Sequence, residues 1–210
     1  MREHTLDHAG TDTSRLAENF GTVVGVGRDG LLIRCLKPDW KEALAVVGSA
    51  DYVLFEGFHN IDVCPRVICA KSATDVAAQW TGLEIAITGP VADQPAVRRD
   101  LETRYQVPVL SLEKGAYQLA EEIARRAFLL PGLNCGACGL TCGQMAHAIV
   151  RGERTPNDCA ALQASVKVRI DEADIPLNPF VQKILQNVII GVLRELKGFR
   201  RGKIRIEISR

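Results

Sequence analysis

Between Leu130 and Cys159 the chain sets four of its seven cysteines, Cys135, Cys138, Cys142 and Cys159, among the glycines Gly132, Gly136, Gly139 and Gly143. Two residues separate the first pair, three the second, and sixteen more precede the last cysteine. Thiolates this close can converge on one metal centre, and four is the number that a structural zinc or an iron–sulfur cluster requires. The glycines let the backbone wrap tightly and aim N–H groups at sulfur, which stabilises the negative charge of a cluster. Zinc sites more often use two short pairs, whereas here three cysteines stand together and one returns late. An iron–sulfur cluster is therefore the first expectation, with a zinc staple or a set of buried free thiols as the alternatives.

An odd cysteine count in a reducing compartment speaks against a disulfide framework. The opening MREHTLDHAGTD is no signal peptide, and no apolar run reaches membrane-spanning length, so a cytoplasmic location is expected. The net charge of +1 hides a basic end: Arg194 to Arg210 holds seven Lys/Arg against Glu195 and Glu207. A solvated basic face accounts for it more simply than an anionic ligand. Neither a membrane nor a nucleic acid is expected as a partner.

Ahead of the cysteines, GTVVGVGRDGLLIRC (21–35) reads as a hairpin turning at Arg28-Asp29-Gly30. PDWKEALAVVGSA reads as a helix between Pro38 and Gly48. DYVLFEGF, RVICA, EIAITG and VPVLSL are short apolar runs of the kind found in a sheet covered on both faces. Helical stretches near 72–80, 94–105 and 113–129 separate them, which predicts a mostly parallel α/β sheet through about residue 130. After the cysteines, strands at Val166–Ile170 and Lys203–Ile208 are expected to flank a helix. Asn178 would be its N-cap, Pro179 its first residue and Gly198 its stop. The stripe Val181, Ile184, Leu185, Val188, Ile189, Val192, Leu193 and Leu196 is expected to be buried against those strands, giving a β-α-β tail. Three modules result: 1–130, 131–160 and 161–210.

LLPGLNCGACGLTCGQMAHAIVRGE…C resembles the small four-cysteine [4Fe–4S] domain shared by an electron-transport complex protein family and the large chain of the corrinoid iron–sulfur protein. The resemblance falls on Asn134, Cys135, Gly136, Cys138, Gly139, Cys142, Ala146, Ala148, Gly152, Glu153 and Cys159, and implies a [4Fe–4S] cluster on the four cysteines. The usual gap before the third cysteine is four residues, against three here, and one deletion turns a helical position by roughly 100°. Cys35, Cys64 and Cys69 read as packed small hydrophobes. His147 reads as a solvent-facing residue, with accessory ligation as the other reading.

DHAGTDTSRLAENFG and ADYVLFEGF, in that order, are similar to segments of the molybdopterin-guanine dinucleotide biosynthesis adapter family. The matching residues are Gly10, Asp12, Thr13 and Arg15, then Glu56, Gly57 and Phe58. The resemblance implies a P-loop NTPase-like α/β fold in which Asp12, Thr13, Arg15 and Glu56 form the cofactor-binding set. A carboxylate such as Glu56, at the carboxyl end of a strand, could hold Mg²⁺. No Gly-x-x-x-x-Gly-Lys-[Ser/Thr] loop occurs in the chain. Either a start upstream supplies that loop, and with it GTP binding, or the first strand and P-loop have been lost. Two functions follow as expectations. One is an iron–sulfur accessory protein of molybdenum or tungsten cofactor biosynthesis that binds or delivers pterin nucleotide, without turnover by this chain alone. The other is a [4Fe–4S] electron-transfer or reductive-activation module. The expected partners are molybdenum cofactor maturation proteins or a redox partner enzyme, with a homodimer left open.

Overall fold

The computed structural model describes residues 15–16, 22–27, 30–35, 40–47, 50–57, 59–163, 166–170, 173–200, 202–206 and 208. The chain divides into two compact units, Met1–Leu54 with Ile170–Asp174, and Phe55–Arg169 with Ile175–Arg210. The first unit contains the expected hairpin. Thr22–Gly27 (β1) pairs antiparallel with Gly30–Cys35 (β2), with Gly27 opposite Gly30, and the helix Trp40–Val47 (α1) follows. The turn residues Arg28 and Asp29 lie outside the described residues, as do Pro38 and Gly48.

The second unit is built on a small parallel sheet. Arg66–Cys69 (β3) pairs with Glu84–Thr88 (β4) in parallel register, and Ile87 bridges to Val109 in the same sense. Ile87 N–H donates to Pro108 O at 2.9 Å and Leu110 N–H to Ile87 O at 2.8 Å. β4 is buried along its whole length, as expected for a strand covered on both faces. Three helices join these segments: Ala73–Gln79 (α2), Pro95–Tyr105 (α3) and Leu112–Arg126 (α4). α2 starts on a full capping box between Ser72 and Asp75, and α3 starts with Pro95 at its first position. Ile68, Ala70, Val76, Ile87, Val91, Leu101 and Val109 form the core, and Trp80 and Tyr105 pack beside it with their ring centroids 4.3 Å from each other. Next in the chain is Cys142–Val150 (α5). Val168–Ile170 (β5) and Ala173–Ile175 (β6) then form a two-stranded sheet, and Pro179–Arg194 (α6) closes the order.

Three expectations are corrected. Residues 51–57 form no strand, and Leu54 is 82% exposed. The sheet is parallel, as expected, but small, with two described strands and one bridge. The tail is strand–strand–helix rather than β-α-β, because among the described residues 203–206 and 208 enter no ladder. α6 is capped as expected, with Asn178 Oδ1 accepting from Val181 N–H at 2.9 Å. Its stripe, however, is covered only in part: Ile184, Val188, Val192 and Leu196 are exposed, while Val181, Leu185, Ile189 and Leu193 are half-buried.

Candidate metal centre

The cysteine segment is tied to the loop before β3 ahead of its first thiol. Leu130, fully buried, donates its N–H to Val63 O at 2.9 Å. The turn into β4 holds the other side. There the buried Glu84 carboxylate accepts from Thr81 N–H, the Thr81 hydroxyl and Gly82 N–H, the closest at 2.7 Å. This carboxylate fixes Gly82 at a φ of +91° beneath the His147 ring; a Cβ added there would lie 3.2 Å from Nδ1. His147 is thus a half-buried packing residue of α5 rather than a solvent-facing one. Arg126, at the end of α4, ties the far end of α5 to β4, donating to Val150 O at 2.9 Å and Ile85 O at 3.4 Å. Its partial burial pulls the guanidinium below the usual arginine range.

Within the segment, Asn134 takes a φ of +46°, and Gly136 and Gly139 take +68° and +80°. Left-handed positions at this density turn the chain back on itself, and Gly139 N–H closes a turn on Gly136 O at 2.9 Å. Cys135 is exposed and Cys138 half-buried on this loop. Thr141 then caps α5 in a reciprocal box with Gln144. Cys142 is the first residue of α5 and is buried. Its N–H donates to Asn134 Oδ1 at 2.7 Å, and Asn134 N–H donates to Cys142 Sγ at 3.4 Å. α5 ends where Gly152 turns at a φ of +76°, and a short turn, Pro156–Asp158, delivers the buried Cys159. Thr155 N–H and hydroxyl on the Asp158 carboxylate hold that carboxyl below the usual range.

The three-residue gap before Cys142 lies in loop rather than helix. The helix starts at Cys142 itself, so no upstream helical turn exists for the deletion to rotate. All four thiols are carried by one loop–helix–turn, yet among the described residues no three His, Cys, Asp or Glu side chains stand close enough together to hold a metal ion. The donor set nonetheless fits a thiolate-bound centre in its chemistry: four cysteines, left-handed backbone around the first two, and an N–H already aimed at the third sulfur. A cluster bound there would supply one-electron redox chemistry.

The remaining candidates are separate from this segment. Asp12 and Thr13 lie outside the described residues; Arg15 and Glu56 are exposed and fall in different units. Cys69 is exposed at the end of β3, which corrects its reading as a packed thiol. Cys64 is half-buried, and burial, opposed by Arg66 and helped by Asp62, pushes its thiol up. Half-maximal alkylation of Cys64 is therefore expected at a pH above the usual thiol range, because the thiolate is the reactive form. A mass-spectrometric pH profile of iodoacetamide labelling checks this, and labelling of Cys64 at the ordinary thiol pH would contradict it. Sequence reasoning missed Asp62, whose carboxylate lies against Gly143 in the first turn of α5. It also missed the Arg126 clasp, and no spacing pattern announces either residue. A cleft of about 180 Å³ lined by Arg126, Phe128, Ile149 and Pro156 sits beside the clasp. It is smaller than the roughly 300–1,000 Å³ of small-molecule sites.

The fold and the four-thiol segment define an α/β protein with an iron–sulfur segment: residues 130–161 match the FeS family, described as "Putative Fe-S cluster". Over 214 residues the chain is also 26% identical to the "Putative molybdopterin-guanine dinucleotide biosynthesis adapter protein" of Methanocaldococcus jannaschii, covering 97% of this chain and 81% of that protein. No solved structure matches. Among the described residues no helix is long and apolar enough to cross a membrane.

Proposed function

We propose that this chain is an iron–sulfur accessory protein of molybdenum or tungsten cofactor biosynthesis that binds or delivers a pterin nucleotide. In this reading Cys135, Cys138, Cys142 and Cys159 hold a [4Fe–4S] cluster. Asp12, Thr13, Arg15 and Glu56 contact the nucleotide, on a scaffold of P-loop type organised as 1–130, 131–160 and 161–210. The observation that carries it is one chain with both likenesses: near full-length similarity to an adapter protein and a four-cysteine segment matching an iron–sulfur family. The chain's own residues have defined work. Asn134 and Thr141 cap the helix that presents Cys142, and the glycines wrap the loop that presents Cys135 and Cys138. Arg126 and Glu84 fix the platform beneath them.

A second reading, electron transfer to a partner enzyme, is favoured by one feature. Cys135 is exposed and Cys138 half-buried, so a centre held there would lie close to the surface. Anaerobic purification with iron, sulfide and zinc analysis, followed by calorimetric titration with molybdopterin-guanine dinucleotide, decides between them. About four irons per chain together with saturable nucleotide binding is the expected result. A cluster without nucleotide binding but with a reversible low-potential couple would transfer the assignment to the second reading. A colourless protein holding one zinc would overturn the cluster in both.

A further inference from the structure

We infer that Asn134 is the positioning residue for Cys142, setting both the orientation and the charge environment of its sulfur. The inference rests on the reading of Cys142 as a cluster ligand. Asn134 makes two contacts to the same residue, in opposite senses. Its side-chain oxygen accepts from Cys142 N–H at 2.7 Å, and its own N–H donates to Cys142 Sγ at 3.4 Å. The partners are eight residues apart, so the pair closes a ring of chain that contains Cys135 and Cys138. Both ends of the thiol-bearing loop are thereby tied to the helix start.

The residue type matters on each count. At a φ of +46° a β-branched or bulky side chain is strained, whereas asparagine tolerates the left-handed region. Its amide oxygen does at Cys142 N–H what Thr141 Oγ1 does at Gln144 N–H, so two of the unpaired donors of the first turn of α5 are satisfied. Once Asn134 Oδ1 holds the helix start, the Asn134 N–H has a fixed sulfur to point at. A hydrogen bond to a ligating sulfur stabilises the more negative state of a centre bound there, and so raises its potential. Glycine at 134 would keep the left-handed backbone and the N–H but lose the oxygen that aims it. Aspartate would keep the oxygen.

The test uses Asn134→Gly and Asn134→Asp in the full chain, each first shown to be folded by circular dichroism. In metal-free protein, Cys142 in the Gly variant is expected to alkylate about fivefold faster than in the native chain, the effect of one lost hydrogen bond on local opening, and the Asp variant to restore the native rate. In anaerobically iron-loaded protein, the Gly variant is expected to lose iron to a chelator about 10–100-fold more readily. Its potential should also fall, a change that a purely structural role would not produce; the Asp variant should recover iron retention. Native Cys142 reactivity in the metal-free Gly variant overturns the positioning role. An unchanged potential in the loaded Gly variant overturns the electrostatic half. If the native chain takes up no iron, the cluster reading fails, and the alkylation arm still decides whether Asn134 positions Cys142.

Discussion

Gly89→Ala is expected to remove about 4 kcal/mol of stability, a large share of the roughly 5–15 kcal/mol that holds a domain together. Gly89 follows β4 with a φ of +94° and a ψ of −171°, a region essentially reserved for glycine. A side chain there carries about 1–3 kcal/mol of backbone strain. The space is also taken. An added Cβ would sit 2.6 Å from Ala70 O, 2.9 Å from Ala70 N and 3.1 Å from Cys69 Sγ. Two of these are backbone atoms, and they cannot withdraw freely. Ala70 N–H donates to Thr88 O at 2.9 Å and Ala70 O accepts from Val91 N–H at 3.2 Å. Relieving the overlap breaks one or both, at about 1 kcal/mol each, and opens the core at Ile68, Ile87 and Val91. Gly136→Ala supplies the comparison. Its φ is +68°, but nothing lies within 4 Å of the added carbon, so only the left-handed penalty of about 1–2 kcal/mol applies. Urea denaturation of the two variants should show a large drop in midpoint for the first and a small one for the second. Equal midpoints would mean that the β3–β4 junction is not packed as described.

What the sequence reveals of this fold follows how local each signal is. The hairpin at 22–35, the helices near 72–80 and 94–105, and the capped start at Asn178 are written in neighbouring residues, and the structure has them. DYVLFEGF carries a run of four apolar residues at 52–55, as RVICA does at 67–70, but a strand also needs a partner for its N–H and C=O groups, and composition does not say whether one exists. The run at 107–110 shows the intermediate case: Pro108 has no N–H to give, yet its carbonyl accepts from Ile87, and one bridge forms. The stripe of α6 is covered only in part for the same reason one level higher. Periodicity identifies an apolar face, while its cover depends on a strand pairing that the described tail does not make. At the candidate site, the thiols and glycines could be read directly. Asp62 against Gly143 and the Arg126 clasp depend on which segments the fold brings together, so no residue spacing encodes them, whereas the Glu84 cradle and the Asn134 bracket close between residues two to eight positions apart.

Serine at any of Cys135, Cys138, Cys142 or Cys159 is expected to reduce iron in the anaerobically purified protein from about four per chain to a small fraction of that, since a [4Fe–4S] centre takes four thiolates. The four positions should differ once the metal is gone. Cys135 is exposed and Cys138 half-buried on the loop, so a hydroxyl there meets water and the metal-free fold keeps its stability. Cys142 is 9% exposed and Cys159 5%, so serine buries a hydroxyl at an apolar thiol's place, at about 1–3 kcal/mol. At Cys142 the hydroxyl inherits the Asn134 N–H as a donor, which offsets part of that loss. Cys159→Ser should therefore be the least stable of the four without metal, melting about 2–8 °C below the native apo chain. Thermal melts with and without iron separate the two effects. All four variants should lose the stabilisation that iron gives the native chain, because a bound centre stabilises only the folded state. Only the two buried sites should also shift the apo melt. A Cys142→Ser variant that kept full iron would remove Cys142 from the ligand set, and Cys64 or Cys69 would then be the next thiol to test.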